Sequence, residues 1–571
     1  MSNENAIIAK AKAEGVYVLT DQGGPFQVAP KYRDLLCLTS DHTLHVAKGE
    51  VLNTEVRTLI DRLKRERIII DDSRIHETSI TFLHQLYRQL PAPDADGSRV
   101  ARVLDGQEGP SDMQRDVMKI IRDAVDKGAS DIHFVLNPRV LEIAYRIHGE
   151  MFSVNERSSI IGQRLLATLY QSMCDVSSTT YNPAANQDAR FKTELAAQCG
   201  LFAARISSGP TDSDPGTVLV MRLLYDSNKK IQSLTELGFL PEQCRDIELM
   251  QRRAVVGGVN ILSGSTGSGK STTASTILSD TIARERAPSE TEGVGLRTGI
   301  KVFTIEDPPE YRIPGAVQTP LVVANRENPD EVRISWLKAI SALVRRDPDM
   351  ALIGEIRDRD SAKAAFDLAT TGHGVYTTLH TTDAVSIMAR LKGLNVDRDL
   401  MLDPDIMTGL INQSLAQKLC PHCRVPWAKG KSDVNPDQRK RIERYCLTER
   451  VYLRGLGCNK CVRGIVGRIV IAETIVPNMQ FMEVFEEKGK VRAKEYWIKE
   501  MGGISKCQAL IRRINEGFVD PVAGDSSVIA LDNDFIALGI DYGKGGNFQA
   551  VATAPQDFWG MPVERHIQLV S

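Results

Sequence analysis

One segment constrains this chain more than any other: Gly264-Ser265-Thr266-Gly267-Ser268-Gly269-Lys270-Ser271. It satisfies G-x-x-x-x-G-K-[ST], follows the apolar run Val259-Asn260-Ile261-Leu262 and precedes the helix-like stretch STTASTILSDTIARE. Strand, glycine turn and helix in that order belong to a parallel α/β sheet. The glycines are a chemical requirement, because backbone N–H groups converge on phosphate oxygens only where no side chain intervenes. Lys270 then brings positive charge to the β- and γ-phosphates, and the Ser271 hydroxyl is offered to Mg²⁺. The helix that begins there, with Thr272 in its first turn, points its dipole at the anion. The expected ligands are ATP and Mg²⁺, held by residues 264–272.

Hydrolysis also needs carboxylates at neighbouring strand ends, where open α/β sheets place their ligands. Two runs fit. Val302-Phe303-Thr304-Ile305 leads into Glu306, Asp307 and Glu310, and Met350-Ala351-Leu352-Ile353-Gly354 leads into Glu355 and Asp358. Such acids bind Mg²⁺ through water or take a proton from the attacking water. A third segment, Thr371-Gly372-His373-Gly374-Val375-Tyr376-Thr377-Thr378-Leu379-His380-Thr381, has a histidine on either side of a short strand. Beside a γ-phosphate, an imidazole reports its presence by making or losing a hydrogen bond.

The 571 residues predict about four domains. Lys+Arg at 71 against Asp+Glu at 73 leaves a net charge of -2, which lacks the footprint of a dedicated nucleic-acid binder. The longest apolar stretches, such as Ala254 to Leu262, fall short of the ~20 residues that cross a bilayer, and MSNENAIIAKAKAEG has no signal-peptide core. A cytoplasmic protein without a transmembrane segment is expected. Residues 1–90 form a first domain, and Pro/Asp/Gly/Ser-rich residues 91–104 read as a linker. The periodic segment from Ser111 to Gly128, with Met113, Val117, Ile120, Ile121 and Val125 on one face, predicts a helix, and 141–147 alternates like a strand. Residues 105–235 are therefore expected to be an α+β domain, and 236–412 the parallel α/β core.

The ten cysteines are too sparse for a disulfide scaffold, but four have telling positions. Cys420-Pro421-His422-Cys423 and Cys458-Asn459-Lys460-Cys461 are two C-x2-C knuckles. Four thiolates from two tight turns meet a tetrahedral Zn²⁺ in a structural site that leaves no catalytic water position. A redox-active pair is the other reading. His422 is expected to face solvent and Cys446 to be a spare thiol.

Taken in order, these segments resemble the secretion ATPase superfamily, specifically the GspE/PilB-like ATPases of type II secretion and type IV pilus assembly. The phosphate loop is followed by an Asp box (Ile305 to Glu310), an atypical Walker B strand ending in Gly354-Glu355-Ile356-Arg357-Asp358, and a His box (Thr371 to Thr381). The resemblance extends through Ala129-Ser130-Asp131-Ile132-His133, Tyr145-Arg146-Ile147-His148-Gly149, Gln187-Asp188-Ala189-Arg190, Arg205-Ile206-Ser207 and Leu237-Gly238-Phe239, covering roughly residues 105–525. It implies a RecA-like P-loop NTPase domain preceded by an α+β, PAS-like domain, and a hexamer at the inner membrane that powers assembly of a pilus or pseudopilus. It further implies that Glu306, or Glu310 beside it, polarises the lytic water and that Glu355 acts on Mg²⁺. Arg205 and Arg222 would come from the preceding domain toward the γ-phosphate, with His373 and His380 as sensors. The implied modules are a docking adaptor over 1–90, a zinc module over 413–475 and a helical region over 476–525. Residues 526–571 are an extension beyond the resemblance, and Glu285 to Gly299 reads as a loop insertion. The implied partners are a platform protein of the inner membrane and the cytoplasmic part of a membrane assembly protein. Two other readings stay open: a nucleotide-gated scaffold without useful hydrolysis, and a conjugation or DNA-uptake motor.

Overall fold

The computed structural model describes residues 3–21, 26–28, 32–51, 53–65, 68, 72–90, 110–176, 180–213, 216–225, 232–285, 299–323 and 328–545. The expected linker 91–104, apart from nothing further, lies outside these residues, as do 286–298 of the expected insertion and 546–571 of the expected extension. The chain divides into two compact units, Met1–Asp226 and Ser227–Ser571.

In the first unit, strands Leu36–Leu38, Leu44–Ala47 and Ile75–Thr78 form a small sheet packed by helix Ile80–Gln89. Buried Leu36, Leu38, Leu44 and Val46 fill one core, and Cys37, Ile80, Phe82 and Leu83 another. The same unit holds the α+β region. The Arg157 guanidinium is buried against Glu50 and lies 3.6 Å from Asp116, while Glu156 accepts from the Ile80 amide at 3.2 Å. The first ninety residues are thus fastened to the α+β region by a buried ion pair. A cut charge pair of this kind is strongly destabilising, which makes the fastening firm.

Helix Pro110–Asp126 forms where the periodicity predicts one, and Gly128 ends it in the left-handed region at φ 69°. The strands that follow form a seven-stranded antiparallel sheet ordered Glu150–Ser158, Val140–Ile147, Ala129–Leu136, Thr217–Tyr225, Leu201–Pro210, Gln187–Phe191 and Cys174–Val176. Its register aligns a row of charges across six strands: Arg146, Asp131, Arg222, Arg205, Arg190 and Asp175.

The second unit is built on a seven-stranded sheet ordered Val317–Pro320, Val302–Glu306, Met350–Ile353, Gly374–Leu379, Gly258–Ser263, Met407–Leu419 and Ile465–Ile475. The first six are parallel and the last is antiparallel to its neighbour. Parallel strands are covered on both faces and so read as continuous apolar runs. Here Val259, Ile261, Ala351, Ile353 and Val375 enter one core, whereas Leu262, Met350, Leu352 and Tyr376 enter the other. That alternation sandwiches the sheet between helix layers and fixes which strand ends are free to carry chemistry. No helix among the described residues is long and apolar enough to cross a membrane.

Candidate functional site

The phosphate loop leaves the C-terminal end of strand Gly258–Ser263 and enters helix Lys270–Glu285. Its three glycines all have positive φ: 144° at Gly264, 76° at Gly267 and 87° at Gly269. A Cβ at position 264 would lie 2.3 Å from the carbonyl oxygen of Gln413, so the loop has that curvature only with glycine there. Ser265, Thr266 and Gly267 are exposed, whereas Ser268 is buried with its hydroxyl unpartnered. Lys270 Nζ donates to the carbonyls of Gly264 at 2.8 Å and Ser265 at 3.1 Å. Burial pulls the Lys270 ammonium below its ordinary range, and the nearby carboxylates of Glu355 and Glu310 oppose that shift. A bare-backbone cradle with a partly buried ammonium and two acids within electrostatic reach fits a nucleoside triphosphate, and Ser271 with Glu355 fits its Mg²⁺.

The acids stand at the same edge because their strands run parallel. Glu306 ends strand Val302–Glu306, and Glu355 lies two residues past strand Met350–Ile353, after Gly354. Thr304 Oγ1 donates to Glu306 Oε1 at 2.6 Å and Gln318 Nε2 to the same oxygen at 3.1 Å. Burial nevertheless raises the Glu306 carboxyl above its ordinary range, with Glu310 adding to the effect. Gln318 also donates to the Tyr311 carbonyl at 2.7 Å and accepts from the Ile313 amide at 2.9 Å, so one amide side chain braces the whole Asp-box turn. Glu355 is flanked by Arg357 Nε at 3.3 Å and His380 Nε2 at 3.5 Å. Asp358 serves as the N-cap of helix Arg359–Thr370, accepting from the Ser361 amide at 2.8 Å.

The two histidines of the His box part company. His380 follows the C-terminal end of Gly374–Leu379 and meets Glu355. His373 precedes that strand, its Nδ1 2.9 Å from Thr371 Oγ1 and 3.2 Å from the Leu368 carbonyl oxygen. Seven residue steps at ~3.3 Å each put the two roughly 23 Å apart, at opposite ends of the strand. The structure therefore does not bring His373 to the phosphate edge of this unit.

In the first unit, Arg222 and Arg205 are direct cross-strand partners, and Arg222 Nε donates to Asp131 at 3.1 Å. Arg190 stands opposite Arg205 on the next strand with its Nε buried and without a hydrogen bond. The motif reading singled out two arginines, whereas the register supplies a third beside them. The sequence analysis also missed Asn412 and Gln413. Asn412 Nδ2 bridges Ser263 Oγ at 2.8 Å and the Thr381 carbonyl at 3.0 Å, and Gln413 Nε2 donates to the Ser268 carbonyl at 2.7 Å. Two successive amides directly after the run Met407-Thr408-Gly409-Leu410-Ile411 were the available signal.

Cys420, Cys423, Cys458 and Cys461 gather so that their sulfurs all lie within 4.8 Å of one another. Measured pairs are 3.8 Å (Cys420–Cys458), 3.6 Å (Cys423–Cys461) and 3.7 Å (Cys458–Cys461). Zn–S bonds of ~2.3 Å in a tetrahedron require S···S edges of about 3.8 Å, so the quartet fits zinc. The Cys458 and Gly464 amides approach Cys461 Sγ at 3.2 and 3.3 Å. Burial would raise that thiol, but these N–H groups, with the Cys423 and Cys458 side chains, bring it down to about 7, whereas burial and its neighbours push Cys423 up to about 12. His422 is exposed and Cys446 is buried, both apart from the quartet.

A glycine cradle, its lysine and strand-end acids on one edge of a parallel sheet define a P-loop nucleotide-binding α/β protein. Residues 106–520 match the family described as Type II/IV secretion system protein, and the chain belongs to that family. Type II secretion system ATPase E of Vibrio cholerae is 28% identical over 436 residues, covering 75% of this chain and 79% of the relative. Type II secretion system protein E of Klebsiella pneumoniae is 31% identical over 397 residues, covering 69% and 70%. Type IV pilus assembly ATPase PilB of Thermus thermophilus is 30% identical over 425 residues, covering 71% of this chain and 43% of the relative. Among solved structures, the ATPase DotB of Legionella pneumophila superposes with a TM-score of 0.48 at 18% identity, covering 73% of this chain and 95% of that one.

Proposed function

We propose that this chain is a homohexameric ATPase that hydrolyses ATP at the phosphate-loop edge and uses the energy to assemble a type IV pilus or type II secretion pseudopilus at the inner membrane. The observation that carries this reading is the grouping of the glycine cradle, Lys270, Glu306, Glu355 and His380 at the C-terminal ends of neighbouring parallel strands. Family membership and relatives named as secretion and pilus assembly ATPases support the biological setting.

In this reading the backbone amides of residues 264–272 receive the phosphates, and Lys270 exchanges the Gly264 and Ser265 carbonyls for phosphate oxygens. Glu306 accepts the proton of the attacking water. Burial raises its carboxyl above the ordinary range, which makes it a better base near neutral pH. Ser271 and Glu355 would hold Mg²⁺, which would supply positive charge to the transferring phosphoryl group. His380 positions Glu355, and Arg205 and Arg222, with Arg190 beside them, deliver further charge to the transition state. The second unit comprises a RecA-like core over 236–412, a zinc module over 413–475, a helical region over 476–525 and the extension 526–571. The adaptor over 1–90 and most of the PAS-like domain over 105–235 fall in the first unit, which ends at Asp226. The adaptor is the surface for the membrane assembly protein, which makes the chain a cytoplasmic protein peripheral to the membrane.

Steady-state phosphate release tests the reading. Lys270→Ala is expected to lower turnover by at least ~10²-fold with loss of nucleotide binding, and Glu306→Gln to lower it by about 10²–10⁴-fold with binding kept. Undiminished phosphate release in both variants overturns it.

A further inference from the structure

The C-terminal helices contribute no residue to the phosphate edge, yet they hold the loop that follows His380 through a buried cluster of charges. At its centre is Glu473, on the antiparallel edge strand Ile465–Ile475 and 0% exposed. Both of its carboxylate oxygens are engaged. Oε2 accepts from the Ala384 amide at 2.8 Å, capping helix Val385–Gly393, whose N-cap residue has no side-chain cap of its own. Oε1 accepts from Lys494 Nζ at 3.1 Å and from the Lys506 amide at 3.2 Å.

Two further lysines grip the same loop from the C-terminal side. Lys506 Nζ donates to the Thr382 carbonyl, and Lys490 Nζ lies 2.8 Å from Asp383. Burial alone would lower the Lys494 ammonium, but Glu473, Asp534 and Asp383 outweigh it and hold the group above its ordinary range, so it stays charged. On its other side the loop meets the nucleotide edge. The Thr381 carbonyl accepts from Asn412, which also bridges to Ser263, the last residue before the phosphate loop. His380, at the head of the loop, is 3.5 Å from Glu355. Residues 380–384 are thus clasped between the catalytic edge and Glu473, Lys490 and Lys506, with Lys494 held on Glu473.

Simple packing is a poor account of this arrangement. Replacing buried ion pairs by well-packed apolar side chains is often neutral or stabilising, so stability alone does not call for these charges. The carboxylate accepts at once from the loop, from helix Met479–Lys499 through Lys494 and from helix Lys506–Asn515 through the Lys506 amide.

We propose that Glu473, with Lys494 and Lys506, is a positioning residue for turnover: it fixes the Thr381–Ala384 loop, and through it His380 against Glu355, so that the C-terminal helices set the geometry of hydrolysis. This rests on the ATPase reading above. An amide at 473 keeps the shape but turns one acceptor into a donor facing another donor, which displaces the loop without touching nucleotide.

The test uses the full chain carrying Glu473→Gln, Lys494→Met or Lys494→Arg, with ATP turnover, ADP affinity and amide exchange measured together. Glu473→Gln and Lys494→Met are expected to lower kcat about tenfold or more while KM for ATP and ADP affinity move less than about twofold, and amides of residues 380–388 to exchange faster. Lys494→Arg, which keeps the charge, is expected to retain at least about half of kcat. Unchanged kcat in folded Glu473→Gln protein overturns the proposal, as does a fall in kcat matched by an equal fall in ADP affinity. If Glu473→Gln does not fold, Lys506→Met, which removes the bond to Thr382, decides by the same kcat-against-affinity split. Absence of turnover in the unaltered chain would count against the ATPase reading instead, and the exchange rates of 380–388 would still decide whether Glu473 governs the loop.

Discussion

The phosphate edge and the cysteine quartet both arise from short sequence motifs, but they fit their ligands by opposite means. The first is a backbone device. Its shape comes from three positive-φ glycines, and its acids arrive on separate strands that share only their direction. The second is a side-chain device, in which two knuckles supply four sulfurs already spaced as tetrahedral edges. A backbone site is damaged by adding atoms, whereas a side-chain site is damaged by removing them.

Gly264→Ala should therefore have the largest effect. The added methyl meets the Gln413 carbonyl, and an L-residue is strained at φ 144°, so nucleotide binding is expected to fall by at least ~10²-fold in equilibrium titration. Retained affinity would mean that the cradle does not depend on its curvature. Cys461→Ser comes next: zinc measured by elemental analysis should fall from about one ion per chain to near zero, with a lower melting temperature and nucleotide affinity within about threefold of the unaltered chain. Protein purified without chelator that holds no zinc to begin with would remove the metal from the comparison. The smallest effect concerns the histidines. His380→Ala should lower kcat by about tenfold and His373→Ala by less than about threefold, because only the former stands beside Glu355. Equal losses would indicate that position on the sheet does not separate their roles.

How much of this could be read from the chain follows from the range of each interaction. The phosphate loop, the two strands ending in acids and the paired cysteines are local patterns, and the described structure places them as the pattern requires. Helix Pro110–Asp126 and strand Val140–Ile147 were likewise visible in their periodicities. Gln318 was not, since it sits on a four-residue strand with no apolar run to announce it. Arg190 gains its meaning only from register with Arg205, which pairing across strands decides. The sequence does put His373 and His380 on either side of a strand, but only strand direction shows that the His380 side is the one beside Glu355. Glu473 did leave a trace, as a lone acid inside the apolar run Ile469-Val470-Ile471-Ala472 and Ile475-Val476, but its partners lie 21 and 33 residues onward or 89 residues back.

Strand Met407–Leu419 has a mechanical consequence of its own. It begins among the parallel strands, passes the phosphate loop at Gln413 and ends at Cys420, while its antiparallel partner Ile465–Ile475 returns from just beyond Cys461. The two form a ribbon whose root is beside the nucleotide and whose tip bears the sulfurs. From Gln413 to Cys420 its length is about 24 Å at ~3.4 Å per residue, so pivoting the root by roughly 5° would swing the tip by about 2 Å. A stiff arm of that reach would turn a slight pivot at its root into travel on the scale of an atom's diameter at the four sulfurs.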